Sequence, residues 1–400
     1  MNSKKRFLAL FILLILILTA CSGVTGKPSK VKIAVSVPEA IGFGETMKNT
    51  IELALQEAGG EVNGIEVELI YLNSSDPDGN PLSPKREAEI AAEAVADEDV
   101  ILYIGPVSSD QAKASLPVLN EANIAQINPT CTWPGLSKPG FGPGEPGIYY
   151  PTGQRNFFRM VPSDDLQGVA AADWANQLGY SRIAIVDDSS AFGAGVAGIF
   201  GVRAQDIGLE IVAHEQFDPY NEDISTADLE PLAQNLLAEQ PDLIYYGGAA
   251  FPRGIELITV LHTLEPEMPI LGADGLVQDQ VPEELGDLAD NLLATTVAVP
   301  PSALDNPAAA EFVSDFESKF GQTPGAYIAN VYEATKLALY ALENTETYTR
   351  TGVLETLTNF EEYNGVLGTW HFSPEGDISI NTIGGMQIQN GNWEFVEVIE

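Results

Sequence analysis

Residues 100–134 have the sequence VILYIGPVSSDQAKASLPVLNEANIAQINPTCTWP, and this stretch decides the fold class. Val100–Ile104 is a short apolar run, which predicts a buried strand. Apolar residues at helical spacing over Ser109–Ala122 predict a helix, and Ile124–Ile127 predicts a second strand. Both strands end in turns of small polar residues, GPVSSD and NPTCT. The order strand, helix, strand indicates an α/β unit with a parallel sheet.

The two polar turns predict a ligand site, because open α/β sheets bind ligands outside the carboxyl ends of their strands. A helix that begins at such a turn also points free N–H groups and the positive end of its dipole at the site, which favours an anion. The alternative is that the Ser and Thr side chains only cap helices. The turns alone leave both interpretations open.

The first 20 residues have the layout of a signal peptide. Lys4–Arg6 is a positive cluster, and Phe7–Leu18 is an unbroken apolar run of 12 residues. A membrane-spanning helix needs about 20 apolar residues, so an uncleaved anchor is the weaker alternative. The ending LTAC resembles a bacterial lipobox, which predicts a lipidated Cys21 and attachment to a membrane surface. Residues 21–30 are small and polar, and they predict a flexible tether.

Length and charge set limits on the function. The chain has 400 residues, and removing the leader changes its net charge from −38 to −41. Such a charge argues against nucleic acid as a partner, because phosphate binding needs clusters of Lys and Arg. The acidic residues are spread along the chain, which indicates a solvated acidic surface. With Cys21 lipidated, Cys131 is the remaining cysteine, so we expect no intramolecular disulfide.

Strands and helices alternate through most of the chain, which predicts two α/β series. The first series includes predicted strands over 31–37 and 65–72 and helices over 44–58 and 84–96. Residues Trp133–Phe158 contain five prolines and six glycines, so we predict a long loop without a regular element. The second series has predicted helices over 164–178, 193–207, 225–239 and 253–262, and strands over 182–187, 209–216, 243–246, 270–271 and 292–299.

The two series predict two similar Rossmann-like lobes joined by hinge crossovers. Helices are predicted over 307–320 and 325–343, and strands with Gly/Asn turns over 365–400. We assign 31–157 plus 300–378 to an N-terminal lobe. We assign 158–299 plus 379–400 to a C-terminal lobe.

Sequence motifs of enzymes and metal sites are missing. Gly42-Phe43-Gly44 lacks the third glycine of a dinucleotide fingerprint, and there is no His-Glu-x-x-His, paired-Cys or Gly-x-Ser-x-Gly motif. His214, His262 and His371 are far apart in strand- or helix-like contexts. We therefore predict no enzyme activity, no cofactor and no metal, although many active sites leave no local motif.

The chain resembles the leucine/isoleucine/valine-binding protein family, the solute receptors of branched-chain amino acid ABC importers. The likeness covers nearly all of residues 31–400. It is carried by the leader, the two polar turns, and the motifs DDSSAFG (187–193), YYGG (245–248) and LGADG (271–275). The resemblance implies the type I periplasmic binding-protein fold.

The resemblance also implies residue roles. Ser109 and Thr132 would donate to an amino acid's carboxylate, through hydroxyls and backbone N–H groups. Thr130 would offer its carbonyl to the ammonium, and Asp274 would supply a carboxylate where family members often carry Glu. The ligand-binding residues implied in this way are Ser108, Ser109, Thr130, Cys131, Thr132, Asp274, Phe43, Phe192 and Tyr327. The last three are the aromatic wall, and for Phe192 and Tyr327 packing in the core is the alternative.

Two departures from the family pattern bear on the ligand. The family often has a Tyr after the Gly247-Gly248 pair, and here Ala249 enlarges the pocket or leaves the contact to Phe251. The loop 133–158 is long, and its Tyr149 and Tyr150 either close over the ligand or pack on the surface.

The implied function is an extracytoplasmic, lipid-anchored monomeric receptor that binds an amino acid and docks on ABC permease subunits. The alternatives are a sensor of the same fold, a receptor for an amide, urea or aromatic acid, and a lipid-anchored hydrolase.

Overall fold

The computed structural model describes residues 27–77, 79–220 and 226–399. The predicted leader, Cys21 and the first part of the tether lie outside the described residues. So does the predicted start of a helix at Ser225. Lys27–Ser29 precede the first strand without regular structure.

The first sheet has the strand order β2-β3-β1-β4-β5-β6 and is parallel except for the β2–β3 pair. Its strands are β1 (Lys30–Val37), β2 (Glu61–Val62), β3 (Ile65–Asn73), β4 (Val100–Ile104), β5 (Ala125–Asn128) and β6 (Phe157–Arg159). The chain alternates these strands with helices α1 (Gly42–Glu57), α2 (Pro84–Ala96) and α3 (Ser109–Glu121). The predicted elements of this half are therefore confirmed, with ends that shift by one or two residues.

The second sheet has the order β15-β14-β11-β10-β9-β7-β8 and is parallel from β11 to β8, whereas β14 is antiparallel to both of its neighbours, β11 and β15. Its strands are β7 (Arg182–Asp187), β8 (Glu210–Gln216), β9 (Leu243–Gly247), β10 (Ile270–Gly272), β11 (Leu292–Thr296), β14 (Ile383–Gln389) and β15 (Asn392–Ile399). The helices between them are α4 (Asp164–Gln177), α5 (Ala191–Asp206), α6 (Thr226–Ala238), α7 (Gly254–Leu264) and α8 (Gln280–Leu285).

The chain then returns to the first sheet. Helices α9 (Pro307–Phe320), α10 (Ile328–Asn344) and α11 (Arg350–Thr358) follow β11, and β12 (Tyr363–Gly365) pairs with β13 (Gly368–Trp370). Val331, Leu337 and Leu342 of α10 pack in one apolar core with β1 and β4 residues. A separate apolar core lies on the second sheet, around Ile244, Ile270 and Leu292.

The prediction of a loop without regular structure over Trp133–Phe158 is wrong at its end. Phe157 and Phe158 begin strand β6, which pairs in parallel with Gln126 and Ile127 of β5. Two short 3-10 turns, Pro134–Leu136 and Gly147–Tyr149, also form in this segment. The strand escaped prediction because its pairing is non-local, whereas the surrounding Pro and Gly content is a local signal.

Both sheets reverse their strand order beside the first strand of each α/β series, at β1/β4 and at β7/β9. Ligands bind at such switch points, outside the carboxyl ends of the strands. Within the described residues, no helix combines the length and apolar character that a membrane crossing requires.

Candidate functional site

A cavity of about 400 Å³ lies where the switch points of the two sheets meet. Residues after β1, β4 and β5 line one side, and residues after β7, β9 and β10 line the other. The cavity brings together eight of the nine predicted site residues: Phe43, Ser108, Ser109, Thr130, Thr132, Phe192, Asp274 and Tyr327.

The ninth predicted residue, Cys131, is not among the residues that line the cavity. Its side chain is buried in an apolar cluster with Leu116 and Phe157, and its Sγ accepts a hydrogen bond of 3.2 Å from Asn128 Nδ2. Burial raises the pKa of the Cys131 thiol, so this thiol is kept neutral. Its place in the turn is structural in this arrangement.

The turn after β4 both caps a helix and faces the cavity. Ser108 Oγ accepts from Gln111 N at 3.3 Å, and the Gln111 side chain accepts from Ser108 N, which is a capping box. Ser109, the first residue of α3, lines the cavity, and its Oγ accepts from Trp133 N at 3.2 Å. The capping interpretation therefore holds for Ser108, and both Ser108 and Ser109 line the cavity at the start of α3.

The turn after β5 is tied to the turn after β4. Thr130 Oγ1 donates to Val107 O at 2.9 Å and to Pro106 O at 3.1 Å. Asn128 Oδ1 accepts from the backbone N–H groups of Thr130 and Cys131, at 3.1 and 2.6 Å. The Thr130 hydroxyl is thus engaged within the protein, and Thr132 is the next buried residue of this turn that lines the cavity.

Asp274 lies on the opposite side of the cavity, directly after β10, and is 5% exposed. The Tyr327 hydroxyl donates to Asp274 Oδ2, while Asp274 Oδ1 has no hydrogen-bond partner. Burial raises the pKa of Asp274 to about 6, against the opposing effects of the Tyr327 and Gln167 side chains. A buried carboxylate with a free oxygen favours a positively charged ligand group.

Aromatic side chains form the apolar part of the cavity. The rings of Phe43 and Tyr327 meet edge-to-face, with centroids 6.4 Å apart. Tyr327 has a positive φ of 67°, which is rare for a bulky residue and is typical of functional sites. Phe192 lines the cavity at the start of α5, and both Ala249 and Phe251 line it too.

The two tyrosines of the long loop do not line the cavity. The Tyr149 hydroxyl donates to Glu145 Oε1 at 2.6 Å, and the Tyr150 hydroxyl donates to Leu136 O at 2.6 Å. Both rings pack in the apolar cluster that also contains Leu116 of α3 and Cys131. Of the two alternatives predicted for these residues, closure over a ligand does not occur in this structure.

Two contacts join the two sides of the cavity. Ala191 N, at the start of α5, donates to Asp110 Oδ2 at 3.0 Å. The Trp133 ring packs on Gly195 of α5 so closely that a Cβ at this glycine would lie 2.2 Å from a ring carbon. These contacts indicate a closed arrangement of the two sides.

A second buried carboxylate, Asp164, lies at the start of α4, where its backbone N donates to Thr132 O at 2.9 Å. Asp164 is fully buried, and neither of its carboxylate oxygens has a hydrogen-bond partner. Burial raises the pKa of Asp164 well above its usual value, and the negative charge of Asp274 raises it further. Because the preceding strand β6 was not predicted, no local signal in the sequence pointed to Asp164.

The charged residues that line the cavity are all acidic. Of the described residues that line it, Asp274 and Asp279 are acidic, and none is Lys, Arg or His. No group of three or more His, Cys, Asp or Glu side chains suited to a metal ion occurs in the described parts of the chain. The cavity therefore offers carboxylates to a cation, and hydroxyl and N–H donors to an anion.

Comparisons with known proteins give a consistent result. The family described as periplasmic binding protein matches residues 31–392. The chain is 28% identical to the Leu/Ile/Val-binding protein BraC3 of Rhizobium johnstonii over 270 residues, 67% of each protein. It is 25% identical to a Leu/Ile/Val-binding protein homolog of Brucella melitensis over 340 residues, 84% of each. The crystal structure of the leucine-binding protein LivK of Thermotoga maritima matches with a TM-score of 0.80 and 26% identity, over 92% of this chain and 98% of that chain.

Proposed function

The chain belongs to the periplasmic binding protein family, and from this premise we propose that it captures an amino acid between two lobes as the extracytoplasmic receptor of an ABC importer. The family resemblance and the type I periplasmic binding-protein fold predicted from the sequence are both confirmed. The relatives described above are named as binding proteins for branched-chain amino acids. We extend that class of ligand to this chain.

One observation carries the proposal: the buried Asp274 faces the polar turns that contain Ser109 and Thr132 across one cavity. An α-amino acid carries an ammonium and a carboxylate on adjacent atoms. The ammonium can bind the free Oδ1 of Asp274 and the Thr130 carbonyl. The carboxylate can accept from the Ser109 and Thr132 hydroxyls and from the N–H groups at the start of α3.

The aromatic wall supports an apolar ligand side chain. Phe43, Phe192 and Tyr327 surround the cavity, and Phe251 lies beside the small Ala249. Burial of an aliphatic side chain against such rings contributes roughly 1.5–3 kcal/mol. A branched aliphatic side chain fits this wall, and the small Ala249 leaves room for a larger one.

Capture requires that the lobes move. We propose that residues 31–157 plus 300–378 form the N-terminal lobe and that residues 158–299 plus 379–400 form the C-terminal lobe. The ligand is held between the two lobes. Closure removes water from the ligand's charged groups, which strengthens their pairing with the protein. The closed receptor would then dock on permease subunits, while a lipid on Cys21 holds it at the membrane surface.

Isothermal titration calorimetry with a panel of ligands tests the proposal. We expect L-leucine, L-isoleucine or L-valine to bind more tightly than urea, benzoate or leucinamide. Asp274→Ala and Thr132→Val should each abolish or strongly weaken binding of the best ligand. The control for Asp274→Ala is Asp290→Asn, which removes an exposed acid outside the cavity. The control for Thr132→Val is Thr259→Val, which removes a hydroxyl that bonds only within helix α7. If no amino acid binds, or if both site variants bind like the wild type, the assignment is wrong.

Two further outcomes separate the competing functions. Genes for a permease and an ATPase next to this gene would favour transport, and their absence would favour a sensor. Hydrolysis of leucinamide by the purified protein would reveal a lipid-anchored hydrolase instead of a receptor.

A further inference from the structure

An unusual group of buried acceptors belongs to Asp274, which lines the cavity, and to Asp164, whose backbone is bonded to the cavity residue Thr132. Three carboxylate oxygens, both of Asp164 and Oδ1 of Asp274, have no hydrogen-bond partner although they are buried. Gln167 Oε1 and the Tyr245 hydroxyl, two further unpartnered buried polar atoms, belong to the same surroundings. Buried polar atoms are normally paired, so a group of this kind needs an explanation.

Asp164 is joined to the cavity by its neighbours. Its backbone N donates to Thr132 O at 2.9 Å, and Thr132 lines the cavity. The charge of Asp274 raises the pKa of Asp164, and a charge on Asp164 in turn raises the pKa of Tyr245 and Tyr327. One turn further along α4, Gln167 Nε2 donates to Thr295 Oγ1 at 3.1 Å, which holds this end of the helix against β11.

The nearby basic groups already have acidic partners. Arg159 is fully buried, and its Nε pairs with Asp377 Oδ1 at 2.9 Å. Lys138 pairs with Asp165 at 2.8 Å. Arg203 of α5 pairs with Asp173, nine residues further along α4. From β15, Glu397 accepts from Trp174, also in the later part of α4, and β11 and β14 contain no charged residue.

Among the residues that the structure describes, no basic side chain pairs directly with Asp164 or Asp274, and the Thr132 side chain and the charge of Arg159 lower the pKa of Asp164 by less than burial raises it. Burial raises the pKa of both groups, and their mutual repulsion raises that of Asp164 further. Two carboxylates in one buried site hold a proton more tightly than either would alone.

We propose that Asp164 and Asp274 together receive the positive charge of the ligand, and that the proton held on Asp164 in the empty receptor leaves for solvent when a protonated amine binds. The proposal rests on the proposed function and narrows it to ligands that carry a full positive charge at the buried end. Asp274 touches the ligand, and Asp164 is a positioning residue that acts through Asp274. A neutral amide or an aromatic acid brings no such charge and leaves the proton in place.

Proton release on binding has a thermodynamic signature. Affinity rises with pH wherever the complex holds fewer protons than the free receptor, by at most about tenfold per pH unit for one proton. At pH 7.5 the pKa of about 6 leaves Asp274 almost fully ionised, so proton release there reports on Asp164.

Calorimetry with L-leucine at pH 7.5, in two buffers of different ionisation enthalpy, measures the protons released. The wild type should release up to about one proton per leucine, and Asp164→Asn close to none. Asp173→Asn, which removes an acid farther along α4 that pairs with Arg203, is the matched control and should behave like the wild type. Leucine binding to the wild type without proton release would overturn the proposal and leave the proposed function intact.

A second measurement does not depend on any ligand. Difference infrared spectroscopy of the ligand-free protein at pH 7.5, wild type minus Asp164→Asn, should show the carbonyl band of a protonated carboxylic acid. Its absence would overturn the proposal. If the band is present but no amino acid binds, the proposed function fails while the protonated state of Asp164 stands.

Discussion

Replacing Asp274 by Asn should make the empty protein more stable and the receptor weaker. The folded protein holds this carboxyl at a pKa of about 6, against an ordinary value of 3.8. The folded state therefore disfavours the ionised carboxylate, and at neutral pH Asp274 lowers the free energy of unfolding. A difference of about two pKa units corresponds to roughly 3 kcal/mol. Asn removes the charge and keeps an oxygen that can accept from the Tyr327 hydroxyl.

The sign of this effect follows from linkage. A carboxyl whose folded pKa is raised binds protons more readily in the folded state, so wild-type stability rises as pH falls from about 6 toward 4. Asp274→Asn removes this pH dependence and should raise the free energy of unfolding by up to about 3 kcal/mol at pH 7. Urea denaturation of the ligand-free protein measures this gain.

The same substitution should weaken binding. Removing one partner of a buried ion pair costs about 3–5 kcal/mol, which corresponds to roughly a hundredfold to several thousandfold in Kd. Calorimetry with L-leucine measures this loss, and Asp290→Asn is the control for removal of an exposed charge. If Asp274→Asn is no more stable than the wild type and binds leucine within about threefold of it, our account of this side chain is refuted.

Three further predictions concern closure and pH. Gly195→Ala should weaken leucine binding by about fivefold or more, because the added Cβ meets the Trp133 ring in the closed form. Gly198→Ala, on the same helix, is the control: its added Cβ meets open space, and this variant should bind leucine like the wild type. A G195A protein that binds as tightly as G198A would contradict this. Asp110→Ala should raise the leucine off-rate about tenfold, because it removes the acceptor that joins the two sides of the cavity. Stopped-flow measurements test this, and an unchanged off-rate would show that the contact does not hold the closed form. Leucine affinity should fall at least tenfold from pH 7 to pH 5 as Asp274 becomes protonated, and a flat pH profile in calorimetry would argue against an ammonium at this carboxylate.

Local signals predicted much of the fold. Helix α2 and strand β4 have the predicted limits, because Ser83 caps the helix ahead of Pro84 and an unbroken apolar run forms the strand. Helix α11 was missed, since its sequence RTGVLETLT is rich in Thr and contains Gly352. Its Val353, Leu354 and Leu357 pack in the first core, and Thr349 caps its start. Tertiary packing and one cap thus outweigh a weak local propensity.

Part of the candidate site could also be predicted from local sequence, and part of it could not. The turns after β4 and β5 were predictable because small polar residues directly follow apolar strands. The pairing of these turns with Asp274 came from the family resemblance, and the structure places them around one cavity. Asp164 could not be identified from its local sequence, because it resembles any acidic residue at a helix start. Its importance comes from burial beside a second carboxylate, which arises only when β6, β10 and α4 come together.

The central claim is that the cavity recognises the ammonium of an amino acid by its charge. Calorimetry of the wild-type protein at pH 7.5 with L-leucine and with 4-methylpentanoate tests this most directly, because the two ligands differ only by replacement of the ammonium with hydrogen. We predict that leucine binds at least a hundredfold more tightly, as expected when a buried carboxylate loses its charged partner. Equal affinities for the two ligands would contradict the claim.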